Sequence, residues 1–321
     1  MGRIEGPAHA DHVLKVIAGN AAASSALAAS WRRSGALHAL DPASRARSLR
    51  APEDEIARSR ERMGLLLVAA QASIDRLFLT VGGVSCSVVL ADPNGIIVDR
   101  RGAPCDDRLF DGSGLWTGAV WSEKYEGTNG IGTCIVEQRA VTIDRDQHFF
   151  TRNSDLFCTT APIFDEHGEL AAALDASSCR GDLTEGFARL IGSAVADAAR
   201  FIEAENFRLA FPKARILLAA TGDRYGSSLL AVDRDDLVVG ATRAARLGLG
   251  VNSAALKRPI PAADLIGRAR AESDDIDAAE RAVLQRALAR SSGNVSKAAK
   301  DLNLSRATFH RKMKELGLRG R

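Results

Sequence analysis

The 321-residue chain is 46% hydrophobic and 26% charged, with a net charge of +3, which excludes a mainly disordered polypeptide and leaves room for two or three domains with their own cores. The charge is concentrated: Ser296 to Arg321 carries eight Lys or Arg against two acids, a net of +6, so the rest of the chain carries −3, as expected if one module meets a polyanion. No apolar run approaches the ~20 residues of a membrane helix, and five scattered cysteines without a C-x-x-C pair fit a reducing, cytoplasmic setting better than a disulfide framework or a zinc site.

The opening MGRIEGPAHADH lacks the apolar centre of a secretory leader. A helical pattern runs from His12 to His38, where Asp41-Pro42 interrupts it. A second runs from about Glu53 to Thr80, with Leu65, Leu66, Val68, Ala69, Ile74, Leu77 and Phe78 on its apolar side. The texture changes at Val84. VSCSVVLADPNGIIVDR reads strand, turn, strand, because Pro93 fixes φ and Asn94-Gly95 tolerates positive φ. Cys158 to Ser177 repeats this arrangement around Asp165-Glu166-His167-Gly168, and Ala140 to Ile143 is a further β-like run. The pattern predicts an α+β domain, an antiparallel sheet with flanking helices. An amphipathic helix follows over Asp182–Arg208, with Phe187, Leu190, Ile191, Val195, Ala198, Phe201 and Ile202 at intervals of three and four, and Pro212 ends it. Ser228 to Gly250 reads as a small strand–turn–strand–helix unit, and Pro259 and Pro261 mark a linker.

The C-terminal residues predict three short helices. Asp274, Asp275, Asp277 and Glu280 suit a first turn, where the helix dipole favours acids, and Ala282, Leu284, Ala287 and Leu288 supply a buried side. Gly293 breaks the first helix, Asn294 or Ser296 caps the second, and Ser305 caps the third, RATFHRKMKEL, which Gly317 ends. Phe309, Met313 and Leu316 share its inner side. Arg306, His310, Arg311 and Lys314 fall elsewhere, so one side is bound to a core and another is cationic. This is what a helix-turn-helix needs to place a helix in the major groove. The expected DNA-contacting residues are Lys297, Lys300, Ser305, Arg306, Ala307, Thr308, His310, Arg311 and Lys314. Arg306 and His310 are placed for base edges, and Arg311 and Lys314 for phosphates. The alternative is a helical hairpin with a merely solvated basic surface.

Between Trp116 and Phe150 the chain is rich in Gly and aromatics. A glycine-permitted loop closing over a partly aromatic cavity makes Trp116, Trp121, Tyr125, Thr128, Asn129, Ile131, His148, Phe149 and Cys158 candidates for binding a small effector. The alternative is that they only shape a loop–sheet junction. One His and one Cys without set spacing give weak support for a metal or haem. No paired cysteines or catalytic constellation point to an enzyme, so none is expected; a buried structural Cys is the commoner case.

GNVSKAAKDLNLSRATFHRKMKELGL resembles the Fis-type helix-turn-helix at the C-terminus of bacterial enhancer-binding regulators. The resemblance implies dimeric binding to a pseudo-palindromic DNA operator, with DNA contact at the position of Arg306. The middle of the chain is similar to the GAF sensory domain of the acetoin-catabolism regulator family. The matching stretches are W-S-E from Trp121, G-T-N-G-I-G-T from Gly127, Q-H-F from Gln147, Cys158, A-P-I from Ala161, D-E-H-G from Asp165 and L-D-A-S from Leu174. The lead-in S-W-R-R-S from Ser30, followed by Asp41-Pro42, also resembles that family, and Ser228 to Gly250 resembles its reduced PAS-like segment.

The organisation implied is a helical lead-in over 1–59, a GAF-like domain over 60–180 and a connecting or dimerisation helix over 181–212. A PAS-like segment over 213–256, a linker over 257–273 and the helix-turn-helix over 274–321 complete it. The family's usual ATPase, which remodels polymerase carrying sigma-54, requires a G-x-x-x-x-G-K-[ST] phosphate loop, and this chain has none; TGDRYGSS at Thr221 lacks the lysine. What remains implied is a sensor joined to a DNA-binding module, with a small effector of unspecified identity and no certain cofactor. The implied partners are operator DNA, a second copy of the chain, and RNA polymerase or a full-length relative. Two further readings stay open: a nucleoid-like auxiliary DNA-binding protein whose GAF domain mainly dimerises, and a thiol redox sensor or enzyme.

Overall fold

The computed structural model describes residues 6–219, 227–252, 254–258, 260–265, 276–291 and 293–318. They fall in two compact units, Met1–Ala262 and Ala263–Arg321.

In the first unit α1 (Gly6–Ala18), a 3-10 turn and α2 (Ala26–Arg32) form the lead-in, with α2 running on into one π turn at Arg33–Leu37. The expected single helix over Glu53–Thr80 is two: α3 (Glu53–Met63) and α4 (Leu65–Val81) meet at 93°. Gly64 makes the break, with φ +47 and ψ −117, a backbone conformation closed to residues with a Cβ. Neither half, nor any other single helix among the described residues, is long and apolar enough to cross a membrane.

β1 (Cys86–Ala91) and β2 (Ile97–Arg101) form the first hairpin. Three short helices follow, α5 (Asp107–Ser113), α6 (Glu123–Glu126) and α7 (Gly130–Glu137), then β3 (Val141–Asp144), β4 (Phe157–Phe164) and β5 (Leu170–Ser178). The five strands make one antiparallel sheet in the order β2-β1-β5-β4-β3. The central strands are buried on both faces, so alternate residues enter different cores. Val88, Leu90, Leu174 and Ala176 pack with Leu66, Ile74 and Leu77 of α4. Val89, Ala91 and Ala173 pack on the opposite face with Trp121, Ile131 and Cys134. α8 (Glu185–Ala210) is capped by Thr184 and lays Ile191, Val195, Ala198 and Ile202 against the α4 side, as its periodicity predicts.

A second sheet, β6 (Arg215–Leu218), β7 (Leu229–Val232) and β8 (Val238–Ala241), is followed by α9 (Arg243–Leu249). The expected strand–turn–strand–helix is present, but β6 adds a strand that four residues of uneven polarity did not announce. The decoy TGDRYGSS falls largely outside the described residues, as does Pro259. Three hairpin turns share one device. Asp92 Oδ1 accepts the N–H groups of Asn94 and Ile96, Asp165 Oδ1 those of His167 and Glu169, and Asp233 Oδ1 those of Asp235 and Leu237, all at 2.8–3.0 Å. Among the described residues a one-turn helix, α10 (Ala262–Leu265), comes last before the C-terminal helices.

The second unit holds α11 (Ile276–Arg290), α12 (Val295–Asp301) and α13 (Arg306–Glu315). Asp274, Asp275 and the side chain of Ala282 lie outside the described residues. Leu284, Ala287, Ala298, Ala299, Phe309 and Met313 form its core. The two alanines on α12 are small enough for the helices to cross closely.

Candidate functional site

The chain turns between α12 and α13 at Asn303, whose φ of +53 reverses the direction in a single residue. Asn294 caps α12 by accepting the Lys297 N–H at 3.1 Å, and Ser305 caps α13 by accepting the Thr308 N–H at 3.0 Å. Phe309 is fully buried and Met313 nearly so, which fixes the rotation of α13 about its axis. Arg306, Ala307, His310, Arg311 and Lys314 are left exposed on the other side, and Thr308 is half-buried with its hydroxyl on Ser305. Lys297, Lys300 and Ser305 are exposed as well. Arg311 also reaches Glu315 one turn on, at 3.5 Å. Lys312, not among the expected contacts, pairs with Glu280 and ties α13 to α11.

In the first unit the glycine-rich loop is held from two sides. Asn129 caps α7: its Oδ1 accepts the Gly132 N–H and its Nδ2 donates to the Gly127 carbonyl, both at 2.8 Å. A Cβ on Gly130 would lie 2.5 Å from Thr160 Oγ1, so α7 sits closer to the sheet than any other residue there permits. From the other side comes the S-W-R-R-S segment. Ser30 donates to Glu123 at 2.6 Å and lies 2.7 Å from Thr128 Oγ1. Arg33 grips Glu123 through two nitrogens at 2.8 and 2.9 Å and reaches Glu137 at 2.9 Å. The Trp31 indole donates to the Gln147 carbonyl at 2.8 Å. Glu123 is almost completely buried, so its charge depends on Arg33 and Ser30.

Beneath α7 lies a buried polar chain. His148 Nδ1 is 3.0 Å from the Arg145 carbonyl, which places the proton there and leaves Nε2 to accept from the Cys158 thiol at 3.3 Å. Ser177 Oγ is 3.0 Å from Cys158 Sγ and 2.5 Å from Asp175 Oδ2, and Thr160 donates to Asp175 Oδ1 at 2.5 Å. Burial holds the His148 pKa down at about 4, pushes Asp175 up to about 7, and raises the Cys158 thiol, with the nearby Asp175 adding to the last. Burial likewise raises Cys86, Cys134 and Cys179. Thiols held protonated are poor nucleophiles and poor metal ligands. Among the described residues no group of three or more His, Cys, Asp or Glu stands where it would hold a metal ion.

The effector candidates separate accordingly. Thr128, Asn129, Ile131, His148 and Cys158 come together beneath and around α7, all buried, with Trp121 beside them and its indole donating to the Gly114 carbonyl. Phe149 packs in a different cluster with Val13, Trp31 and Phe150. Trp116 is stacked by the Arg100 guanidinium at 4.1 Å, and Tyr125 is 42% exposed beneath the Lys124 ammonium. None of the nine lines the clefts of about 1140, 520 and 490 Å³ that open on the described surface.

Comparison with known proteins gives two family matches: MimR, N-terminal domain, over residues 12–191, and bacterial regulatory protein, Fis family, over residues 276–316. The acetoin catabolism regulatory protein of Cupriavidus necator is 32% identical over 224 residues, 68% of this chain and 34% of that protein. The propane 2-monooxygenase operon transcriptional activator MimR of Mycolicibacterium smegmatis is 29% identical over 143 residues, 44% of this chain and 23% of that protein. The acetoin dehydrogenase operon transcriptional activator AcoR of Bacillus subtilis is 26% identical over 179 residues, 55% of this chain and 29% of that protein. The chain thus spans about a third or less of the length of these relatives. A chain of the crystal structure of the E. coli DhaR(N)–DhaL complex matches with a TM-score of 0.51 at 19% identity, over 76% of this chain and 79% of that one, a likeness of fold. With its N-terminal match covering more than half of the sequence, the chain belongs to the MimR N-terminal domain family, here joined to a Fis-family helix-turn-helix with no phosphate-loop ATPase between them.

Proposed function

We propose that the protein is a one-component transcriptional regulator that binds operator DNA through α13 and senses a small effector through its GAF-like domain, without driving polymerase by ATP hydrolysis. The observation that carries this reading is the cationic side of α13, held outward by the burial of Phe309 and Met313 beneath it. Arg306 and His310 stand one turn apart for base edges, Ala307 is small enough for close approach to a thymine methyl, and Arg311, Lys314, Lys297 and Lys300 serve the phosphates. Ser305 and Thr308 fix the helix start at the groove. A single recognition helix reads only a half-site, so the working form is a homodimer on a pseudo-palindrome. Leu190 and Phe201, 66% and 60% exposed along one side of α8, supply an apolar surface for the second copy. RNA polymerase or a full-length relative is the partner through which the bound dimer acts on transcription.

The test is selection of genomic DNA by the purified chain, followed by gel retardation and sedimentation on the recovered sites. Enrichment no better than random fragments, or a chain that stays monomeric on its best site, would overturn the reading. One observation favours the auxiliary, nucleoid-like alternative: Thr128, Asn129, Ile131, His148 and Cys158 are packed among themselves and their neighbours. Strong binding without preference among sequences would decide for it.

A further inference from the structure

The helix layer formed by α4 and α8 keeps an outer face that the described residues leave uncovered. On α4, Leu65, Val68, Ala72 and Leu79 are all exposed, Leu79 at 84%. Their spacings of three, four and seven put them on one side, facing away from Leu66, Ile74 and Leu77 in the core. On α8, Leu190 and Phe201 lie eleven residues, about three turns, apart, with Ala194 between them on the same side. Ala188 and Gly192, on the opposite flank of α8, line the cleft of about 520 Å³ at β3, so Leu190 and Phe201 stand on the flank beside α4. The two helices thus share one apolar face.

That face suits a second copy of this chain. Leu65, Val68, Leu79, Leu190 and Phe201 are each more than half exposed. Together they leave roughly 600 Å² uncovered, most of the ~800 Å² that each partner brings to a standard interface. Ala72 and Ala194 at the middle are small enough for another pair of helices to come close. Glu203 apart, which accepts the Phe164 N–H, α4 and α8 carry four acids and four bases. A face balanced in charge does not repel its own copy, and it gives no hold to DNA or to a strongly charged partner.

Leu65 and Asn206 line one cleft, so the start of α4 meets the end of α8 and the two helices run in opposite directions. Two chains reach one pseudo-palindrome most directly when both leave α8 at the same end of the dimer. That sets the two-fold axis along the helices and lays α4 of each copy on α8 of the other. We propose that the sensor units pair in this way, as a bundle of two α4 and two α8 helices. At a rise of about 1.5 Å per residue, Val68 then comes level with Phe201 of the second copy, Leu79 with Leu190 and Arg76 with Asp197. Arg76 is exposed and its neighbour Asp75 is taken by Arg101, which leaves the Arg76 guanidinium for Asp197 across the axis. The proposal rests on the regulator reading, which requires two half-sites, and adds to it the role of α4, the axis and the register.

Sedimentation equilibrium of the full chain without DNA tests it, and a dimer is expected. Val68→Asp with Leu79→Asp, both at exposed positions, should weaken the dimer at least roughly tenfold, as should Arg76→Asp alone, which sets acid against acid. Adding Asp197→Arg to Arg76→Asp should restore it, a rescue that a misfolded variant does not give. Circular dichroism melting checks the fold of each variant. A monomeric wild type, its face left to some other protein, overturns the proposal. So does a Val68→Asp, Leu79→Asp variant that dimerises like wild type, or a charge exchange that restores nothing. Gel retardation on selected DNA is measured in parallel. A free monomer that pairs only on its site overturns this interface and leaves the regulator reading standing. A free dimer that binds without preference among sequences sinks that reading and leaves the interface.

Discussion

Replacing Asp175 with Asn removes an ionisable proton site from the centre of the sensor while keeping its shape. Asp175 is fully buried, its carboxylate oxygens accept from the hydroxyls of Thr160 and Ser177, and burial raises its pKa to about 7. The folded value lies above the unfolded one, so the native state keeps a proton that the unfolded chain releases at about pH 4. The resulting stabilisation is fully present below about pH 4 and is lost as the pH rises towards 7. About three pKa units at ~1.4 kcal/mol each make the loss about 4 kcal/mol. Asn accepts from Thr160 and donates to Ser177 Oγ, whose own proton then turns to Cys158 Sγ. Glu203, also raised to about 7 by burial, loses stability in the same direction over the same range, and His148, depressed to about 4, loses it as the pH falls below about 6.5. Both are common to wild type and variant, so the difference between the two proteins isolates Asp175. Urea unfolding followed by tryptophan emission is the assay, because Trp31, Trp116 and Trp121 all lie in the sensor unit. The two proteins should be equally stable near pH 4 and should diverge until Asp175→Asn is the more stable by about 4 kcal/mol at pH 8. A difference that stays within about 1 kcal/mol across this range, or one of opposite sign, refutes the reasoning.

Phe309→Ala should cost about 3–5 kcal/mol, enough to unfold a three-helix unit of this size while the tryptophan transition of the sensor is unchanged; circular dichroism melting and gel retardation read the two together. Glu123→Ala removes the buried partner of Arg33 and Ser30 but leaves Arg33 on Glu137 and Ser30 on Thr128, and should destabilise the sensor unit by about 1–3 kcal/mol, whereas no measurable loss in urea unfolding would mean the contact is loose. Arg306→Ala should reduce discrimination between the selected site and random DNA. Lys314→Ala should weaken both alike and lower the salt slope by about one, and equal loss of discrimination from both changes would contradict the assigned roles.

Local chemistry made much of the fold legible. The hairpins at Asp92 and Asp165 announce themselves because one Asp and one Gly settle each turn within four residues, and α8 because its apolar residues return every three or four positions. The cap at Ser305 and the buried side at Phe309 and Met313 are legible for the same reason. The break at Gly64 was not, since one glycine inside a helical pattern is usually tolerated and only the backbone shows a φ of +47. β6 is not legible in the sequence because Arg215-Ile216-Leu217-Leu218 has no alternation. The grip of Ser30 and Arg33 on Glu123 spans about ninety residues of chain, and no spacing rule reaches that far. The aromatic residues around the glycine-rich loop suggested a cavity wall by composition alone. Composition does not distinguish a wall from a filled core, and most of these side chains prove to be packed.

α8 belongs to two cores at once. Its first half lies on the five-stranded sheet through Ile191 and Val195, and its far end enters the small sheet through Phe207, which packs with Leu229 and Ala231. Beyond Gly192, next to the first anchor, neither glycine nor proline interrupts the helix from Val195 to Phe207, so α8, about 39 Å long, acts as a stiff lever. A tilt of roughly 5° at the sensor end carries the other end through about 3 Å, comparable with the spacing between contacting side chains. A change of a few degrees in how α4 and α8 seat on the sheet is therefore enough to shift the small sheet by a whole contact, with no residue along the way changing conformation.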